Sequence, residues 1–302
     1  MPDTIDINTI SQIHQALGLN KPKHPLVSVI RPQDIKTSTE FRDVKIVLNL
    51  YHIALKREGF GTLRYGRNSY DYQEGTLIFI APGQTLEYEN EEPAFEETIG
   101  WSLVFHPDLI RKSDLAKKID SYGFFDYASN EALHLSDDER ITIEELLDKI
   151  IKEYSQNLDR HSQNLINSNI ELLLDYCLRY YDRQFYTRTD LNQDVISKFE
   201  RLLKAYYKAS KEIKLGIPNL SYCAKELNLS PNYLSDLLKK ETGKSAQEHI
   251  HLFVVEKAKS QLLNSKNSIS EIAYALGFEY PQHFSTLFKS KTGFSPREYR
   301  RS

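Results

Sequence analysis

The chain has 302 residues, with 39 Lys and Arg against 42 Asp and Glu, so its net charge is −3. A domain with one hydrophobic core usually has fewer residues than this, so the length predicts two or three domains. The two cysteines, Cys177 and Cys223, are spaced as neither a disulfide framework nor a metal site, so we expect buried thiols. The chain shows no signal-peptide pattern at its start, and no stretch approaches the roughly 18 apolar residues of a membrane span. We therefore predict a cytoplasmic protein that is neither secreted nor bound to a membrane.

The charge is divided unevenly along the chain. From Asp190 onward, 18 Lys and Arg stand against 12 Asp and Glu, a balance of +6, whereas the preceding residues carry −9. An acidic regulatory part joined to a part that faces phosphates would show this asymmetry. A mild positive balance is also common in ordinary domains, so the charge by itself carries little weight.

The N-terminal part of the chain predicts strands. Short β-type runs punctuated by Gly and Pro occur at Ile46–Leu55, Gly61–Tyr65, Thr76–Ile80 and Trp101–Phe105. Runs this short and closely spaced are typical of an antiparallel sandwich or barrel. We predict a sensor domain of this kind over residues 1–135.

Residues 136–189 predict a helical hairpin and a linker. A capping box at Ser136–Glu139 precedes apolar residues at helical spacing, and a second amphipathic helix is predicted over Asn164–Phe185. The polar stretch Tyr186–Asp190 then predicts a linker. The wide apolar stripes of the hairpin could form a dimer interface or could pack beneath the sheet.

Two segments of the C-terminal part resemble each other at a spacing near 50 residues. Leu220–Leu229 matches Ile269–Phe278, and a shared order of Pro, Ser, Leu, Lys, Thr-Gly, Ser and Glu follows in both copies. With only two copies, a duplication is a simpler explanation than a solenoid.

Each copy has the pattern of a helix, a tight turn and a second helix. The first helix ends at Asn228 or Gly277, residue types that tolerate a left-handed turn, and Ser230 with Pro231 predicts the start of the next helix. The second helices are predicted to end at Gly243 and Gly293. Capping boxes that begin the following helices are predicted at Ser245–Glu248 and Ser295–Glu298. This is the spacing of a helix-turn-helix, whose second helix lies in the major groove of DNA. Between the units, Ala246–Asn264 predicts one helix of about 28 Å.

The segments Ile269–Phe278, His283–Lys289 and Thr292–Arg300 resemble the signature of the AraC family of bacterial transcription regulators. The resemblance covers about Val195–Arg300 and implies a seven-helix DNA-binding domain with two reading helices, within our predicted domain 190–302. By position it implies base-facing side chains at Asn232, Ser235 and Asp236 in the first unit and at Gln282, His283 and Thr286 in the second. The positions that it implies near phosphates are Lys239, Lys240, Lys289 and Lys291.

Two positions depart from the family pattern, because Thr286 and Val254 stand where the family often has Arg. The family's sequence preference therefore does not transfer to this chain. Asp236 is also unusual, since a carboxylate repels phosphate and can favour only a donor such as cytosine N4. Any one of these polar residues could instead lie on a helix face that contacts only solvent. The pair of helix-turn-helix units could also be a module that binds another protein.

The stretch Glu74–Gln84 resembles the second motif of cupin barrels, the usual sensor fold of these regulators. Metal-dependent cupins place His-x-His and a carboxylate on the strands, whereas His52 stands alone here. We therefore predict no metal, no cofactor and no enzymatic activity. Aromatic side chains could line an effector pocket, with Arg64 or Arg67 as an anion partner, but on strands such residues more often form the core. They are Tyr51, Tyr65, Tyr70, Tyr72, Phe79, Tyr88 and Trp101.

The sequence thus predicts an α+β protein in which a cupin-like β-barrel with a helical hairpin precedes an all-α double helix-turn-helix domain. The predicted function is sequence-specific transcription regulation, with double-stranded DNA and the transcription machinery as partners. A small-molecule effector could control it, and it could form a homodimer. Two alternatives remain, a cupin enzyme fused to a DNA-binding domain and a regulator controlled by its abundance or by a protein partner.

Overall fold

A computed structural model describes residues 4–36, 45–56, 63–65, 68–70, 75–88, 100–128, 131–187 and 189–301. The chain divides into two compact units, Met1–Gln184 and Phe185–Ser302. Apolar side chains form a buried core in each unit. The protein is α+β, with its sheets in the first unit.

The first unit consists of short strands followed by helices. Its strands are β1 (Thr4–Ile7), β2 (Val27–Ile30), β3 (Lys45–Leu48), β4 (Tyr51–Lys56), β5 (Leu63–Tyr65), β6 (Asn68–Tyr70), β7 (Thr76–Ile80), β8 (Gln84–Tyr88), β9 (Gly100–Phe105) and β10 (Leu133–His134). Its helices are α1 (Ile10–Ala16), α2 (Pro107–Ile110), α3 (Leu115–Lys118), α4 (Asp137–Ser155) and α5 (Ser162–Thr187), and the last of these extends past the boundary between the units.

The strands form two five-stranded sheets, with the orders β1-β3-β8-β5-β6 and β10-β7-β4-β9-β2. The pair β1 and β3 is parallel, and the other pairs are antiparallel. Ile46 and Leu48 of the first sheet share a core cluster with Ile78, Ile80 and Val104 of the second, so the two sheets pack face to face. Among the described residues the two sheets are not joined into one closed sheet, and the cupin barrel stays a prediction.

One predicted strand is corrected by the structure. The run Ile46–Leu55 forms two strands, because the chain bends at Leu50 and passes from the first sheet to the second. The backbone N–H of Asn49 donates to the carbonyl of Ile7 at 2.9 Å, and its Nδ2 donates to Oδ1 of Asn8 at 2.7 Å. The residue before the bend is thus held by residues from the start of the chain. The predicted strand Thr76–Ile80 is confirmed, whereas Glu74, Arg67 and Tyr72 lie outside the described residues.

The predicted hairpin is confirmed as the helices α4 and α5. Both halves of the capping box at Ser136–Glu139 are formed. Arg183 of α5 donates to both carboxylate oxygens of Glu139, at 3.0 and 2.7 Å, and thereby ties the two helices together. The Tyr181 ring of α5 lies 6.1 Å from that of Phe79 in β7, which shows that the hairpin packs on the second sheet. This is one of the two alternatives left open by the sequence.

The described residues of the predicted linker are helical. Helix α5 continues to Thr187 and the next helix begins at Thr189, so an irregular segment over Tyr186–Asp190 is wrong for the residues that the structure describes. The predicted limits 1–135, 136–189 and 190–302 stay predictions. Over the described ranges, no helix is both long and apolar enough to cross a membrane.

The second unit is helical throughout its described elements. They are α6 (Thr189–Lys208), α7 (Glu212–Leu215), α8 (Leu220–Glu226), α9 (Pro231–Thr242), α10 (Ala246–Asn264), α11 (Ile269–Ala275), α12 (Pro281–Thr292) and α13 (Pro296–Tyr299). The short α7 is additional to the seven helices that the resemblance implies. Both cysteines are buried free thiols, as expected, and burial raises the pKa of the Cys223 thiol to about 11, with Glu226 adding to the rise. The Cys223 thiol is therefore protonated and unreactive at neutral pH.

Candidate nucleic-acid interface

The first helix-turn-helix consists of α8 and α9. Asn228 follows α8 with φ of +56°, the left-handed conformation predicted for this position. Ser230 then caps α9, because its side chain accepts a hydrogen bond from the Tyr233 N–H at 3.2 Å, and Pro231 occupies the first helical position. The predicted turn and helix start are confirmed.

The second helix-turn-helix consists of α11 and α12, and other backbone packs closely against its turn. Gly277 has φ of +89°, and a Cβ atom built there would lie 2.8 Å from the carbonyl carbon of Gly216 and 3.0 Å from the Ile217 nitrogen. The hydroxyl of Tyr207 donates to the neighbouring carbonyl of Leu276 at 3.2 Å. Because backbone from the α7 region leaves no room for a side chain, this position requires glycine, whereas the first copy accepts Asn228.

The reading helices are held by apolar residues on their inner faces. The fully buried side chains of these faces are Leu234, Leu237 and Leu238 in α9 and Phe284 and Phe288 in α12. Burial of such side chains contributes about 1.5 to 3 kcal/mol each. Both helices end at a left-handed glycine, Gly243 and Gly293, as predicted.

One continuous helix, α10, connects the two units. Its 19 residues match the predicted limits, and at about 1.5 Å per residue they span roughly 28 Å. Ile250, Val254, Ala258 and Leu262 are buried on its inner face. Val254 therefore belongs to the core in this chain, although the family that the sequence resembles often has Arg at this position.

The predicted base-facing residues of α12 lie on its exposed side. Gln282, Thr286 and Lys289 are separated by four and three residues and so share one face, with His283 exposed beside them. The His283 ring contacts that of Tyr280 at 5.3 Å between centroids. Tyr280 is exposed and occupies the N-cap of α12, where the first copy has Ser230. This aromatic side chain was not predicted from the sequence, although the replaced cap residue was a visible signal.

The corresponding residues of α9 are less exposed. Asn232, Ser235 and Asp236 are half-buried, whereas Lys239 and Lys240 are exposed near the end of the helix. The structure thus places polar side chains near the start of both reading helices and lysines near their ends.

Lys291 makes an ion pair that the sequence did not predict. Its Nζ lies 3.1 Å from Oε1 of Glu248 at the start of α10. The Glu248 carboxylate is thereby drawn away from Ser245, and only the Ser245 half of the predicted capping box is formed. The partner reduces the charge that Lys291 can offer to a phosphate.

Two histidines of α10 add no positive charge at neutral pH. Burial, and then Lys244, lower the pKa of His249, with an opposing contribution from Glu200 and Glu248. Burial, and then Lys291, lower the pKa of His251. Both rings are therefore neutral around pH 7, and the positive charge of this region comes from Lys and Arg.

Comparison with known proteins agrees with this geometry. Residues 223–302 match a family described as a helix-turn-helix domain. The second unit contains an AraC-type helix-turn-helix domain.

Individual relatives resemble the chain over the length of such a domain. The uncharacterized transcriptional regulatory protein YesN of Bacillus subtilis is 39% identical over 112 residues, which cover 35% of this chain and 28% of that protein. The transcriptional activator RhaS of Escherichia coli is 37% identical over 82 residues, 27% of this chain and 30% of that protein. The chain therefore spans less than a third of the length of these relatives.

A solved structure also resembles part of this chain. The C-terminal domain of AraT, a response regulator from Geobacillus stearothermophilus, is 36% identical, covering 34% of this chain and 84% of that chain with a TM-score of 0.30.

Proposed function

We propose that this protein is a sequence-specific DNA-binding transcription regulator. The observation that carries the proposal is the pair of helix-turn-helix units with matching turns and caps, joined by the single helix α10. Two reading helices held this way suit successive turns of the major groove on one face of a duplex, about 34 Å apart. We assign the protein no enzymatic activity.

The side chains of α9 and α12 have distinct roles in the proposal. Gln282 and Asn232 lie near the helix starts, where their amides can each bond adenine in a bidentate fashion. The other proposed base-facing residues are Ser235, Asp236, His283 and Thr286, and the proposed phosphate contacts are Lys239, Lys240 and Lys289.

The first test uses the second unit alone, as residues 185–302. This fragment retains Phe185, whose ring contacts Tyr233 at 5.3 Å and whose carbonyl accepts from Nδ2 of Asn192 at 2.6 Å. We expect it to fold and to bind duplex DNA with a log-log salt slope of about −0.9 per phosphate neutralised, measured by fluorescence anisotropy at several salt concentrations. A folded fragment without affinity for DNA at low salt would refute the proposal.

The regulatory part of the proposal concerns the first unit. A small-molecule effector would bind to this unit. DNA-bound protein would then contact the transcription machinery. Among the residues that the structure describes, no group of three or more His, Cys, Asp and Glu could hold a metal ion.

We further propose that α5 forms a homodimer interface. Leu165 and Leu172 are 49% and 45% exposed and, seven residues apart, lie on the same side of the helix. We expect Leu172→Glu to shift a dimer to monomer in analytical ultracentrifugation, because it would bury a charge in an apolar contact. Leu178→Glu is the matched control, since Leu178 is similarly exposed but faces another direction. A dimer that persists in both variants would exclude this interface.

A further inference from the structure

The two reading helices begin differently. Ser230 caps α9, where its side chain accepts a hydrogen bond from the Tyr233 N–H at 3.2 Å. Tyr280 stands at the corresponding position of α12, and its side chain makes no capping hydrogen bond with the described residues. Pro281 at the first helical position still favours a helix start, because its φ is already helical. Tyr280 thus occupies the cap position without capping the helix, and its side chain calls for another explanation.

The Tyr280 ring forms an exposed pair with the ring of His283. Tyr280 is 46% exposed, and the two ring centroids lie 5.3 Å apart with the ring planes at 66°. Aromatic rings prefer edge-to-face arrangements of this kind. The His283 N–H also donates to the Tyr280 carbonyl at 3.0 Å. These two residues, which we call the aromatic pair, are therefore held together at the surface.

The aromatic pair lies at the start of α12. Tyr280 immediately precedes this helix and His283 is its third residue, with the exposed Gln282 between them in the chain. Side chains at the start of a reading helix are those that meet base edges in the major groove. When α12 lies in the groove as proposed, the aromatic pair therefore meets the same stretch of bases as Gln282.

The chemistry of the major groove limits what an aromatic ring can recognise there. Base edges present hydrogen-bond donors and acceptors, and the apolar group among them is the C5-methyl group of thymine. A polar edge covered by the ring would lose its water without gaining a hydrogen bond, which costs free energy. The methyl group would instead gain from burial against the ring. Thymine is also the partner of adenine, the base that the Gln282 amide suits.

We propose that Tyr280 contacts the C5-methyl group of a thymine in the sequence that α12 reads. His283 holds the Tyr280 ring in place, and Gln282 bonds the adenine of the same or the neighbouring base pair. The aromatic pair thereby selects thymine over cytosine, which lacks the methyl group, at this position. The inference rests on the proposed function, because it requires α12 to lie in the major groove.

The test replaces thymine with deoxyuridine, which removes the methyl group and leaves the hydrogen-bonding edge of the base unchanged. A duplex is first selected from random sequences with the full chain, and each of its thymines is then replaced in turn. We expect at least one replacement to weaken binding about fourfold, the effect of one buried methyl group, measured by fluorescence anisotropy.

Two substitutions connect this effect to the Tyr280 ring. Tyr280→Ser removes the ring and supplies a favoured cap residue, so it should fold and should bind the thymine duplex and its deoxyuridine counterpart equally. Tyr280→Phe keeps the ring and should keep the effect of about fourfold. Tyr274→Ser is the matched control, because Tyr274 is 56% exposed but lies on α11, and it should leave the effect unchanged. Circular dichroism first shows that each variant is folded.

Three results would overturn the methyl contact while leaving the proposed function intact. The first is equal affinity of the unchanged chain for thymine and deoxyuridine duplexes at every position. The second is a methyl effect that persists undiminished in Tyr280→Ser, which would assign it to another residue. The third is a loss of affinity in Tyr280→Phe as large as in Tyr280→Ser, which would show that the hydroxyl bonds a phosphate instead. Failure of the full chain to bind any duplex would refute the proposed function and this inference together.

Discussion

Gly277→Ala should destabilise the second unit by about 2 to 5 kcal/mol. The left-handed conformation costs a residue with a Cβ atom about 1 to 2 kcal/mol, and overpacking against neighbours that cannot move costs about 1 to 3 kcal/mol more. The neighbours here are backbone atoms of Gly216, Ile217 and Glu212, which lie 2.8 to 3.1 Å from where that Cβ would be. Urea unfolding of the 185–302 fragment, followed by circular dichroism, measures the loss.

Gly243→Ala provides the matched control. Gly243 also has a positive φ, +73°, but a Cβ atom there would have no neighbour within 4 Å among the described residues. Gly243→Ala should therefore lose only the conformational cost of about 1 to 2 kcal/mol from the free energy of unfolding. Gly277→Asn should lose as much stability as Gly277→Ala. Asn tolerates positive φ, but it also carries a Cβ atom, which would meet the same neighbours. Equal losses at the two glycines would show that the close approach at Gly277 is wrong.

Gln282→Ala should reduce discrimination between DNA sequences by about 1 to 3 kcal/mol while scarcely changing affinity for random DNA. The reason is that an amide at the start of α12 would contact base edges, which differ between sequences. Lys289→Ala, on the same exposed face, should weaken preferred and random duplexes alike and reduce the magnitude of the salt slope by about one. Both side chains are exposed, so neither substitution should disturb the fold.

The measurement compares both variants on a selected duplex and a scrambled duplex across several salt concentrations. Asn232→Ala and Lys239→Ala repeat the comparison on α9, after circular dichroism has shown that each variant is folded. If the Lys variants lose discrimination while the amide variants weaken both duplexes equally, the placement of the reading helices in the groove is wrong.

Much of the AraC-type domain could be predicted because its signals are local. The turn at Asn228, the cap at Ser230 and the helix end at Gly243 each depend on the chemistry of a few consecutive residues. The repetition of these signals in a second copy then indicated the double unit. The positions of Gln282 and Lys289 on one exposed face follow from helical spacing in the same way.

Features that depend on residues distant in the chain were decided by the tertiary structure. Asn49, which lies between the strands of the two sheets, bonds Ile7 and Asn8, and Lys291 pairs with Glu248, 43 residues away. Neither of these contacts can be predicted from the residues next to it in the sequence. The sequence by itself thus determined where the helices and turns of the second unit occur, since backbone conformation and capping are short-range effects. Only the folded chain decided which side chains are paired and how the sheets divide, because those contacts form between elements that the sequence keeps far apart.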